Sequence, residues 1–185
     1  MDHSEGHAKL DRLVHYICAR CSDPGPLGAA KLNRILWHSD VLSYAETQKP
    51  ITGAVYIKRQ FGPVPRDIMA VRMRLVAQGA ILERQALTYG YDQTQFIALT
   101  NPDISLFSAA EISLVDCVIA AIGSNHATSS LSMLSHDLVW ELATIGEEIP
   151  LSAAAFAGNI GEIDETDMAW AQAEINKVAT VRAVS

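Results

Sequence analysis

Three groups of side chains in this sequence have types and spacings from which chemistry can be built. The first is Cys18-Ala19-Arg20-Cys21, with His15 three residues earlier and Cys117 far downstream. Two cysteines at this spacing suit zinc or a redox pair, but a structural zinc site needs four ligands and a redox pair sits in a βαβ context. There is no second such pair, and this one falls at the end of a helix, so the three cysteines read as reduced thiols. The second group is His136-Asp137, an acid and a base by type. Neighbours on a helix point about 100° apart and do not share a site, whereas His136 and Trp140 lie on one face, which reads as a packed histidine. The third is the basic run Lys58, Arg59, Arg66, Arg72 and Arg74, opposed only by Asp67. Its cations do not form one stripe: Arg72 falls among Ile68, Met69, Leu75 and Val76, where an arginine stacks or pairs with an acid more readily than it reads DNA. His3 and His7 fall in what reads as a frayed terminus. No nucleophile elbow, phosphate-binding glycine loop, dinucleotide fingerprint or zinc-protease motif is present. The side-chain pattern therefore predicts neither an enzyme nor a cofactor or metal; an enzyme using His38, His136 or the cysteine pair is the least favoured reading.

The elements that must position these residues follow from periodicity. Leu10, Leu13, Val14 and Ile17 predict a helix over 9–20, closed by the Ser22-Asp23-Pro24-Gly25-Pro26 run. Residues 31–47 predict a second helix with two apolar faces, Leu32, Ile35, Leu36 and Leu42 on one and Trp37, Val41 and Tyr44 on the other. Such a helix is buried on both sides, near the centre of the fold. Residues 51–60 read as a strand, 61–65 as a turn whose second proline opens a helix over 66–78, and 80–88 with 93–99 as a hairpin. Helices are expected at 109–122, 129–144 and from Asp164 or Thr166 to about 178, with 146–161 irregular. Trp37, Tyr44, Tyr56 and Phe61 are most simply core; any that is exposed would suit an interface. The fold class is α+β: a mainly helical single domain with a small antiparallel sheet, a strand plus a hairpin in winged-helix-like order, and a C-terminal helix.

At 185 residues the chain is one domain, or one domain with an extension, and a chain of that size buries about 70% of its unfolded surface. Hydrophobic residues make up 49%, which excludes a disordered chain, and charged residues 19%, below the roughly 25% of ordinary domains. So little charge suggests that a partner covers part of the surface. Residues 1–100 hold 12 Lys/Arg and 9 Asp/Glu, a balance of +3, and residues 101–185 hold 2 and 12, a balance of −10; together they give the net −7. The plainer reading is an acidic, solvated C-terminal region that aids solubility; the sharper one is two surfaces of opposite sign, each for a different partner. The weak overall acidity argues against tight, nonspecific nucleic-acid binding. The first eleven residues lack the apolar core of a signal peptide, and the apolar run 114–122 is too short to span a membrane, so a cytoplasmic protein without membrane contact is expected.

A more specific pattern lies in the order of short segments. Lys31-Leu32-Asn33-Arg34-Ile35-Leu36-Trp37-His38-Ser39-Asp40 is followed by Lys49-Pro50-Ile51-Thr52-Gly53, Tyr56 and Gln60-Phe61-Gly62-Pro63-Val64-Pro65. Much later come Leu131-Ser132-Met133-Leu134-Ser135-His136-Asp137 and Trp140. This series resembles the Panacea domain, the family of SocA-like antitoxins and phage-associated GepA-type proteins, over roughly residues 9–145. It departs from the family where Leu36-Trp37 stands in place of a tyrosine pair, and after Gly146. The resemblance implies a protein-binding antitoxin rather than an enzyme, with no cofactor. Its partner would be a toxin encoded nearby, neutralised by direct contact, with an AAA+ protease as a further partner if the protein acts as a proteolytic adaptor. The positions matching the family's marked residues are Lys31, Leu32, Asp40, Tyr56, Gly62, Pro63, His136 and Trp140; with the basic Lys58, Arg59 and Arg66 they form the expected partner-binding or motif set. The expected organisation is a Panacea domain over 1–145 and an acidic extension over 146–185 with one helix. The alternative is a winged-helix-like DNA-binding regulator, or an autoregulator of a toxin–antitoxin operon.

Overall fold

The computed structural model describes residues 3–21, 27–88, 91–123 and 142–157, with isolated positions 169, 173 and 176. Helix α1 (His3–Arg20) buries the expected stripe of Leu10, Leu13, Val14 and Ile17. It begins at His3 rather than at residue 9, so the stretch expected to fray is helical. Gly6 explains why: a Cβ there would lie 3.3 Å from the Thr52 carbonyl oxygen, so the first turns are held by tertiary contact that periodicity does not register. Strand β1 (Leu27–Gly28) leads directly into α2 (Ala29–Thr47), which is buried on both faces as its sequence predicts, from Leu32 to Ser43. Gln48, at φ 59°, closes it with a bond from its N–H to the Tyr44 carbonyl.

The segment after α2 differs from the sequence expectation. Only Tyr56–Arg59 forms the strand β2, and Gly62–Pro65, expected as a turn, is its antiparallel partner β3. Two prolines are tolerated because of register. Lys58 stands opposite Pro63, and its backbone groups bond instead to Glu147 and Gly146 on the far side, while Arg66 N–H reaches Val55. The proline nitrogens therefore fall at the positions of this pair that donate nothing, on an edge strand. Because Arg66 is still bonded to the sheet, helix α3 (Ile68–Ala77) starts at Ile68, and Pro65 does not open it. Gly79, at φ 67°, stops α3 as expected.

The hairpin is β4 (Ile81–Thr88) with β5 (Tyr91–Ala98), and α4 (Ala109–Gly123) follows. The stretch expected to be irregular contains β6 (Glu148–Ile149), which pairs with β2, and helix α5 (Leu151–Ala157), whose Ala153, Ala154 and Ala155 are small enough to pack closely in the core. The single sheet expected is two: β1-β5-β4 and β3-β2-β6. The first, with α1, α2 and α3, has the connectivity of a winged helix into which β2–β3 is inserted between the second and third helices. The fold is α+β. Of the helix expected over 129–144 only 142–144 are described, and there Leu142 is helical while Ala143 and Thr144 are not; the helix ending near 178 lies outside the described residues apart from the isolated positions. No described helix is long and apolar enough to cross a membrane.

Candidate partner-binding site

The inserted hairpin is tied to α2 by a buried polar strut. Asp40 and Tyr56 are 0% and 1% exposed. The Asp40 carboxylate accepts the Thr52 N–H at 2.8 Å, the Tyr56 hydroxyl at 2.8 Å and the Thr52 hydroxyl. Burial pushes the Asp40 carboxyl above its usual range, against the bonds from Thr52 and Tyr56 that pull it down. Burial, together with the charge of Asp40, raises Tyr56 well above its own usual value, so the phenol stays a donor. The Tyr56 ring meets Trp37 edge-on, with centroids 4.9 Å apart. Two of the motif residues thus hold β2 and the loop before it against α2; they are closed to a partner in this structure.

Gly62 and Pro63, also motif residues, open toward solvent. They line a cleft of about 190 Å³ between the start of α2 and the hairpin. Its apolar walls are Ala29, Ala30, Trp37, Phe61, Pro63 and Val64; Asn33, Arg34, His38 and Arg59 supply polar groups. Phe61 stands at the hairpin tip, 83% exposed, and not in the core where an aromatic residue is expected. It sits in the tight turn Gln60-Phe61 between β2 and β3, where both residues are exposed. Gly62, at φ 126°, takes a backbone shape that side chains resist, which is the physical reason for glycine here. Trp37 is 1% exposed, and its Nε1 has no partner among the described residues; the same holds for the buried Asn33 Oδ1.

The basic residues do not form one free patch. Lys58 Nζ donates to the Ala143 carbonyl, Arg66 pairs with Glu148 at 3.3 Å, and Arg74 pairs with Asp11 at 2.6 Å. Arg72 lies 4.9 Å over the Phe96 ring and pairs with Glu83, as its apolar surroundings predict. Lys31 and Arg34 are exposed on the first turns of α2 and Arg59 at the hairpin. Arg34, absent from the expected set, joins Arg59, Gly62 and Pro63 around one cleft. The signal for it lay within the quoted run Lys31 to Asp40, but no periodicity marks which of its cations faces a hairpin far along the chain. His136 and Trp140 lie outside the described residues. Cys18 and Cys21 are buried core thiols; burial pushes Cys18 up to about 12 and also raises Cys21, so neither is a ready nucleophile at neutral pH.

Comparison with known proteins gives one family. The family described as "Antitoxin SocA-like, Panacea domain" matches residues 32–141, more than half of the chain. The match runs from the first turn of α2 through the hairpin, α3, the β4–β5 pair and α4, so it contains the strut and most of the cleft. No curated protein and no solved structure matches the chain.

Proposed function

This chain belongs to the SocA-like antitoxin family that carries the Panacea domain, and from that premise we propose that it neutralises a partner toxin by direct contact through the β2–β3 hairpin and the first turns of α2. An antitoxin-type role follows from the family; the contact surface is the proposal. The observation that carries it is Phe61. A phenyl ring 83% exposed at the tip of a rigidly anchored hairpin, beside a cleft with a cationic rim, is what the centre of an interface looks like before its partner arrives. The Asp40–Tyr56 strut supports the reading, because a preorganised hairpin loses little freedom on binding. Glu148-Ile149 completes the hairpin's sheet, so we assign residues 146–157 to the same structural unit as the hairpin.

Delivery of the bound toxin to an AAA+ protease is the finer form of this reading, with the acidic residues 101–185 as the surface for it. DNA binding is the competing reading, and the winged-helix connectivity favours it. The surface of α3, the helix in the reading position, does not. Met69, Met73 and Val76 are its large exposed apolar residues, at spacings of four and three, and Arg72 and Arg74 are held by Glu83 and Asp11. Phosphate binding draws on cations that are available to replace counterions.

The test is Phe61→Asp. The side chain is 83% exposed, so the fold should persist by circular dichroism. Co-purification with the toxin encoded beside this chain, and rescue of its growth arrest, should both be lost. Full rescue by Phe61→Asp would move the interface elsewhere.

A further inference from the structure

The cleft beside Phe61 has an unmet chemistry. Among the described residues no carboxylate lines it, and the exposed Arg34 supplies a cation at its wall. The first two residues of α2 form part of its wall, no side chain caps that helix, and its first turn has no acidic residue. No acidic side chain of that first turn therefore answers the positive end of the α2 dipole. Independently of the helix end, the indole N–H of Trp37 is a buried donor with no acceptor, and Asn33 Oδ1 a buried acceptor with no donor, among the described residues. Buried polar atoms are almost always satisfied, so an orphan pair lining one cleft points to something that completes it. At about 190 Å³ the cleft is smaller than the ~300–1,000 Å³ of cofactor and drug sites, a size for one side chain rather than a metabolite.

We propose that this cleft receives one acidic residue of the partner toxin. Its carboxylate accepts the Trp37 indole N–H and faces Arg34 and the start of α2, while a backbone N–H of the same segment satisfies Asn33 Oδ1. The need for a donor as well as an anion favours a peptide over a free phosphate, which at neutral pH offers little to Asn33. The proposal rests on the antitoxin reading and names the chemistry of its partner.

The test uses the full chain, labelled with 15N at tryptophan, and the peptide acetyl-Ala-Glu-Ala-amide as probe. The Trp37 indole resonance should move downfield and saturate. The peptide with Gln in place of Glu should bind at least fivefold more weakly, and inorganic phosphate at equal concentration should move the resonance less. Arg34→Glu, at an exposed position, should cost at least fivefold in the Glu peptide's affinity; Arg34→Gln, with a smaller loss, serves if the reversal fails to fold. Equal responses to the Glu and Gln peptides, a stronger response to phosphate, a static indole resonance, or an Arg34 variant that binds like the parent would each overturn the proposal. The toxin assay separates this from the wider reading: a parent chain that rescues growth, together with an Arg34→Glu chain that rescues equally, removes the acidic-residue claim and leaves the antitoxin role. A parent chain that fails to rescue removes the antitoxin role itself.

Discussion

Replacing Tyr56 by Phe tests whether the inserted hairpin is held by the Asp40 strut. The substitution keeps the ring and its edge-on contact with Trp37 at 4.9 Å, and removes only the hydroxyl that donates to Asp40 at 2.8 Å. The bond lies in a site where Asp40 is 0% and Tyr56 1% exposed, so water cannot replace it. A hydrogen bond to a charged group contributes about 1.5–3 kcal/mol, and the acceptor left short of a partner keeps its desolvation cost. The expected loss is about 2 kcal/mol, which for a chain of this length lowers Tm by roughly 4–8 °C. Scanning calorimetry of the two proteins reads it directly. Asp40→Asn and the double variant complete a cycle, whose coupling energy should exceed about 1 kcal/mol because the two groups touch. A Tm within about 1 °C of the parent, or additive losses, would refute the claim that the strut holds the hairpin.

Two further outcomes follow from the buried groups. Because burial raises Asp40 above its ordinary value of 3.8, the folded state holds that proton more tightly than the unfolded state does. The contribution of Asp40 to stability is then largest in acid and is lost as pH rises through its folded value. Asp40→Asn lacks this slope, so its deficit against the parent, from urea unfolding, should be larger near pH 5 than near pH 7.5; a deficit that grows toward neutral pH would contradict the sign. For the thiols, a disulfide reagent at about pH 8 should label one of three cysteines quickly, the exposed Cys117. Cys18, pushed up to about 12, and the buried Cys21 should react only after unfolding; prompt labelling of all three would show that α1 is not packed as described.

Much of the fold was legible because its helices carry regular apolar spacing. The double-faced burial of α2 and the stop of α3 at Gly79 could both be read from residue types alone, since each depends on a local pattern. What escaped depended on partners distant in sequence. Gly62–Pro65 looks like a turn until β2 supplies a register in which neither proline has to donate. Glu148-Ile149 is too short to announce a strand and becomes one only beside Tyr56-Ile57. Of the candidate site, the quoted motif run contained Lys31, Asp40, Gly62 and Pro63, yet sequence could not separate the buried strut from the open cleft. Asp40 stands in the expected partner-binding or motif set, and Phe61 reads as core. The structure buries Asp40, which finds Thr52 and Tyr56 as donors, and exposes Phe61 at a turn.

The most direct measurement is a growth rescue with purification. The gene beside this one is expressed alone in bacteria, then with this chain carrying a tag. The account predicts growth arrest, relief of that arrest by this chain, and the neighbour eluting with it at a fixed ratio, with both relief and co-elution lost in Phe61→Asp. Relief without co-elution would contradict stable neutralisation by contact and point to proteolytic delivery or repression. An absence of both toxicity and complex would contradict the account as a whole.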